Sequence, residues 1–66
     1  MMIDQFDRKL LQQLQQDARL TNGDLSERVN LSPSQCSRRR IRLEEEGYIR
    51  GYFARLEPTL LGLGIV

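Results

Sequence analysis

Thr21-Asn22-Gly23-Asp24 and Ser32-Pro33-Ser34-Gln35 are two helix starts written one after the other. Each sets a hydroxyl residue three positions before a side chain that can reach back to its amide, the capping-box arrangement. Each is also bracketed by an apolar pair, Leu20 with Leu25 and Leu31 with Cys36, as a hydrophobic staple requires. Pro33 falls at the first helical position, where its missing N–H costs nothing. The spacing predicts a short helix, a turn of about three residues and a second helix. That second helix carries Arg38, Arg39, Arg40 and Arg42, which suits it to approach a polyanion.

Outward from this pair, Asp4 can cap a preceding helix whose Phe6, Leu10, Leu11 and Leu14 share one apolar face, and which stops near Asp17. The second helix is expected from Asn22 to Val29, with Leu25 and Val29 inward and Asn30 in the left-handed conformation that ends it. The third is expected from Pro33 to about Glu46, terminated by Gly47. Beyond Gly47 the residues from Tyr48 to Leu56 are rich in β-formers, and Gly51 could turn two short strands. The fold class is therefore mainly α, a three-helix winged helix-turn-helix with a short β-wing or linker strand after the third helix. Residues 1–50 read as the helix-turn-helix domain. Residues 51–66 read as wing or linker strand, running through the apolar end Leu60-Leu61-Gly62-Leu63-Gly64-Ile65-Val66 into the start of a further domain.

Composition removes most other classes of function. A chain of 66 residues has room for one small core and no deep enclosed active site. With no histidine and one cysteine, it can build neither a disulfide framework nor a Cys/His zinc site, and no metal or cofactor is expected. Glu44, Glu45 and Glu46 could offer carboxylates, but neighbours on one helix diverge by about 100° and no nucleophile accompanies them. Catalysis is not expected. No apolar run reaches the roughly 18 residues of a membrane span and no signal peptide is visible, so the chain is expected to be cytoplasmic and nucleoid-associated, with Cys36 reduced.

Net charge is only +1, yet its distribution is uneven. Four arginines and no acid lie between Ser32 and Leu43, and Glu44-Glu45-Glu46 follow at once. A solvated face with Arg40–Glu44 and Arg42–Glu46 pairs is the bland explanation. Those pairs run in the weaker order, and glutamates oppose the dipole at a helix carboxyl end, so helix stability alone explains the pattern poorly. About 100° per residue from Cys36 puts Cys36, Arg40 and Leu43 on the core side and Ser34, Arg38, Ile41 and Arg42 broadly opposite. Arg40 is out of place there unless its stem runs along the edge of the core.

Ser34, Gln35, Ser37 and Arg38 crowd the first turns, the part of such a helix that meets base edges. Arginine pairs bidentately with guanine and glutamine with adenine, so Arg38 and Gln35 are candidate base readers or phosphate contacts. Thr21, Asn22, Ser32, Arg42 and Arg50 complete the candidate DNA-binding set together with Arg39. Arg39 is lateral on the wheel, placed either for a phosphate or for pairing with Asp7 or Glu27. One phosphate each for Arg38, Arg39, Arg42 and Arg50 predicts a salt slope of about −4.

The stretch from Thr21 to Gly47 resembles the helix-turn-helix of the Lrp/AsnC family of transcription regulators. The matching residues are Thr21, Asp24-Leu25-Ser26, Val29-Asn30-Leu31-Ser32-Pro33, Arg39, Leu43 and Gly47. Asp4 to Leu11 resembles the family's opening helix, and Gly47-Tyr48-Ile49-Arg50-Gly51-Tyr52 its exit into the wing. Arg40 departs from the pattern, standing where the family usually has a small apolar residue. The resemblance implies a regulator that binds double-stranded DNA as a homodimer or higher oligomer. It also implies an amino-acid effector held by a carboxyl-terminal domain that these residues do not include. The alternative function is a winged-helix module that docks on proteins without binding DNA, against which the arginine cluster argues.

Overall fold

The computed structural model describes residues 2–62. Three helices, α1 (Gln5–Gln16), α2 (Asn22–Val29) and α3 (Pro33–Glu45), pack mutually, and a single-turn helix α4 (Pro58–Leu61) follows a segment without regular secondary structure. Every one of the first three starts with a reciprocal capping box. Thr21 Oγ1 accepts from the Asp24 amide at 3.0 Å while Asp24 Oδ2 accepts from the Thr21 amide at 3.0 Å. Ser32 and Gln35 repeat the exchange at 3.2 and 2.9 Å, and Asp4 with Asp7 at 2.9 and 3.1 Å. Two orphan amides are satisfied at each helix start, so the boundaries agree with local sequence.

Asp17 organises the bend after α1: its amide donates to the Gln13 carbonyl, and its carboxylate accepts from the Arg19 amide at 3.0 Å. Asn30 takes φ 61° and ψ 40°, the left-handed residue expected at the end of α2. Gly47, at φ 85°, turns the chain off α3 and allows the Ile49 amide to reach the Leu43 carbonyl at 3.1 Å.

The core is Leu10, Leu14, Leu20, Leu25, Val29 and Cys36, with Leu43 also fully buried and Leu31 and Ile49 packed at its margin. Leu20 and Leu25, which bracket the start of α2, both lie in this core, and Leu31 packs against the cluster that contains Cys36. Phe6 and Leu11, expected on the apolar face of α1, are only half-buried, Phe6 lying beside the Arg39 guanidinium.

The β-wing is not found: among the described residues there is no strand, and residues 49–57 have no regular secondary structure. An isolated two-stranded hairpin is marginal in water, so β-forming side chains alone do not suffice. At Gly51 the exposed Phe53 ring folds back instead, with its Cζ 2.7 Å from where a Cβ would stand, so a larger residue there would displace that ring. An open groove of about 710 Å³ separates this segment from the last turns of α1. Glu57 then caps α4, accepting from the Thr59 hydroxyl at 2.7 Å, with Pro58 at its start. Part of the apolar end, residues 63–66, lies outside the described residues.

Candidate nucleic-acid interface

The capping box and Pro33 fix where α3 begins, and the burial of Cys36 and Leu43 fixes its rotation about its own axis. From that rotation the fates of its four arginines follow. Arg38 and Arg42 are one turn apart, both exposed, and among the described residues neither takes part in an ion pair or side-chain hydrogen bond. With Gln35 and the edge of Arg39 they line a shallow hollow of about 260 Å³. Two guanidinium groups at i and i+4 beside an amide form a donor-rich surface suited to phosphate oxygens or base-edge acceptors. Neither of the i,i+4 ion pairs considered from sequence, Arg40–Glu44 or Arg42–Glu46, is formed among the described residues.

Arg39 has the other use weighed for it. Its Nη1 lies 2.8 and 2.7 Å from the two oxygens of Asp4 and 3.0 Å from Asp7 Oδ1, and its guanidinium stands 5.4 Å from the Phe6 ring centroid. The partners are the two acids at the start of α1, and Glu27 is not one of them. Asp7 is 4% exposed, so this cation and the Asp4 amide are what make burial of its carboxylate tolerable. The Arg39 guanidinium and the Asp7 amide hold the Asp4 carboxyl below its ordinary range; Asp4 in turn raises the Arg39 pKa.

Arg40 resolves its conflict by running along the core edge. Its Nε donates to the Tyr52 hydroxyl at 2.9 Å, and its Nη1 donates to the Leu20 carbonyl at 2.9 Å and to Asn22 Oδ1 at 3.4 Å. The guanidinium carbon is 4.9 Å from the Tyr52 ring centroid, within cation–π range. The Tyr52 hydroxyl in turn donates to Glu44 Oε2 at 2.6 Å, so arginine and glutamate meet through a phenol. Burial, then the Glu44 bond, push the Tyr52 phenol pKa up, keeping it the proton donor to that carboxylate.

The remaining candidates scatter more. Thr21 and Ser32 use their hydroxyl oxygens in the caps, and Ser34 Oγ sits 3.2 Å from Ser32 Oγ. Gln35 is exposed, but its Oε1 holds the Ser32 amide. Asn22 shares its oxygen with Arg40, Ser37 is half-buried, and Arg50 is exposed beyond the end of α3. Sequence reasoning missed Asp4 and Tyr52 as partners of Arg39 and Arg40. The available signal was a cation at a core position, Arg40, with an acid four residues on and a phenol beyond the helix. Cys36 is packing: burial pushes its thiol pKa up, against a smaller opposing pull from Arg39.

Residues 3–50 match the family model described as winged helix-turn-helix DNA-binding. The chain is 45% identical over 64 residues to the leucine-responsive regulatory protein of Escherichia coli K12, an alignment covering 97% of this chain and 39% of that protein. Among solved structures it is similar to the transcriptional regulator NMB0573 from Neisseria meningitidis, crystallised with L-Met. That match has 52% identity and TM-score 0.89, over 96% of this chain and 41% of the other. An AsnC family transcriptional regulator from Agrobacterium tumefaciens matches at 42% identity and TM-score 0.84, over 89% of this chain and 39% of the other. The chain thus spans about two fifths of the length of these relatives.

Proposed function

This chain belongs to the winged helix-turn-helix DNA-binding family, with a helix-turn-helix of the Lrp/AsnC type, and from that premise we propose a sequence-specific DNA-binding domain of a transcription regulator. In this reading α3 enters the major groove. The observation that carries it is the pair Arg38 and Arg42 on the outward face, without an ion pair among the described residues, beside Arg39, which is paired with Asp4 and Asp7, and Arg40, whose donors are taken up by neutral acceptors. A helix built only for packing has no use for two unpartnered cations one turn apart.

Roles follow from geometry. Arg38, in the second turn and free of partners, is the principal base reader, and Arg42 contacts the phosphate backbone. Gln35 is the weaker reader, because bidentate pairing with adenine uses both amide atoms and one already caps α3. Thr21, Asn22, Ser32, Ser34 and Ser37 supply hydroxyl and amide contacts to phosphates around the two helix starts, and Arg50 supplies a flanking cation. Arg39 is assigned to holding α3 on α1. With Arg42 and Arg50 left as the arginine phosphate contacts, the expected salt slope is about −1.8 rather than −4.

The whole regulator is expected to lie in the cytoplasm on the nucleoid, to act without catalysis, and to bind DNA as a homodimer or higher oligomer. An amino-acid effector is proposed for a carboxyl-terminal domain, by analogy with the Neisseria regulator solved with L-Met. Fluorescence anisotropy of a labelled duplex against rising salt tests the central reading. A steep linear loss of log K supports it, and binding indifferent to salt, or none at low salt, overturns it.

A further inference from the structure

Arg40 joins three parts of the chain that are far apart in sequence. It leaves α3, reaches the Leu20 carbonyl and Asn22 at the turn that opens α2, and donates from Nε to the Tyr52 hydroxyl on the segment that leaves the domain. None of these contacts lies on the outward face. Yet two of the elements it ties, the start of α2 and the body of α3, are those assigned above to the phosphates and the bases.

Each atom of the cluster has a defined part. The Leu20 carbonyl precedes the N-cap Thr21, so an arginine from α3 held there fixes where α2 begins relative to α3. Asn22 has its oxygen engaged by Arg40, which leaves the amide's NH₂ end as the donor available to a phosphate oxygen. The guanidinium is planar and cannot meet Leu20 and Asn22 in every rotamer. The Tyr52 hydroxyl on Nε, backed by Glu44 and by the ring face, selects the rotamer that does. Tyr52 also ties segment 50–56 to α3 by hydrogen bonds with Arg40 and Glu44.

We propose that Arg40 and Tyr52 are positioning residues for DNA binding: Tyr52 orients Arg40, and Arg40 sets the spacing between the start of α2 and α3, so the segment leaving the domain tunes the affinity of a face it does not touch. The proposal rests on the DNA-binding reading. A preset spacing spares the complex the cost of ordering the two elements when a duplex arrives.

The test is a double-mutant cycle read by anisotropy on a labelled pool of randomised duplexes, with folding of each variant checked by its amide NMR spectrum. Arg40→Met should weaken binding about tenfold and Tyr52→Phe about threefold, the range expected for coupled neighbours. The double variant should bind no more weakly than Arg40→Met, because Tyr52 acts through Arg40. The salt slope should stay at the wild-type value in all three, whereas loss of a phosphate contact would reduce its magnitude by about 0.9. If Arg40→Met fails to fold, Arg40→Lys takes its place, retaining the charge but lacking Nε, and Tyr52→Phe should again add nothing. A double variant with multiplied losses, a Tyr52→Phe variant binding like wild type, or a reduced slope in Arg40→Met would each overturn the proposal. Wild-type protein that binds no duplex would overturn the DNA-binding reading itself, and the wild-type arm reports that separately.

Discussion

Arg38 and Arg42 on one side of α3, and Arg39 and Arg40 on the other, have the same chemistry and opposite employment. The outer two face solvent without a partner among the described residues, while the inner two bind the start of α1, the start of α2 and the departing chain. Nothing in their composition separates them. A rotation of about 100° per residue does, because it decides whether a guanidinium meets water or meets the carboxylates and carbonyls left at neighbouring helix starts. Charge counted along a sequence therefore overstates what a nucleic acid can reach: half of this cluster is already neutralised by the protein or held at its edge.

The comparison breaks most visibly at Arg39. Arg39→Ala leaves the buried Asp7 carboxylate without its cation, and should lower stability by about 2–4 kcal/mol in urea unfolding. A loss below about 0.5 kcal/mol would place Arg39 with the outer pair. Arg38→Ala should do the reverse, leaving the unfolding midpoint nearly unchanged while costing about 1–3 kcal/mol of binding on a preferred site. Selection from randomised duplexes before and after the change should show relaxed preference at one base, and Arg42→Ala should weaken all sequences alike.

Ser32 serves both faces, since its hydroxyl starts the helix that carries them. Ser32→Ala should cost about 1 kcal/mol in thermal melting and lower duplex affinity in parallel. The smallest effect is in acid. Asp4 is held below its ordinary value of 3.8 by Arg39, and Asp24 is lowered by its bonds with Thr21. A carboxylate with a depressed folded pKa adds stability that is fully present above the unfolded value and fades as pH falls through the folded one. Stability should therefore drop below about pH 3.8, and the Asp4 share of that drop should shrink in Arg39→Ala to what the Asp7 amide sustains, as acid titration by circular dichroism would show.

The three helices, their caps, the left-handed Asn30 and the stop at Gly47 were legible because each depends on residues within about four positions. The outward direction of Arg38 and Arg42 followed from the same periodicity. Arg39 was undecided between two uses, because its partner Asp4 is 35 residues away and only packing brings α1 beneath it. The β-propensity of Tyr52 and the turn expected at Gly51 both assume a pairing strand that the described residues do not contain; the phenol goes to Arg40 instead. Glu57-Pro58-Thr59 has a legible local signal of its own, a cap followed by a first-position proline.

The reciprocal caps at the head of α1, α2 and α3 also have a meaning in time. Each closes a loop of three residues, so helix starts can form before any distant contact, and domains rich in such local closures fold in microseconds to milliseconds. The Arg39–Asp4 contact closes the longest span among the ion pairs of the described residues, and should therefore form after the folding barrier. Breaking it should leave the folding rate almost untouched and speed unfolding, so the lifetime of the folded domain, rather than its birth, is what that pair governs.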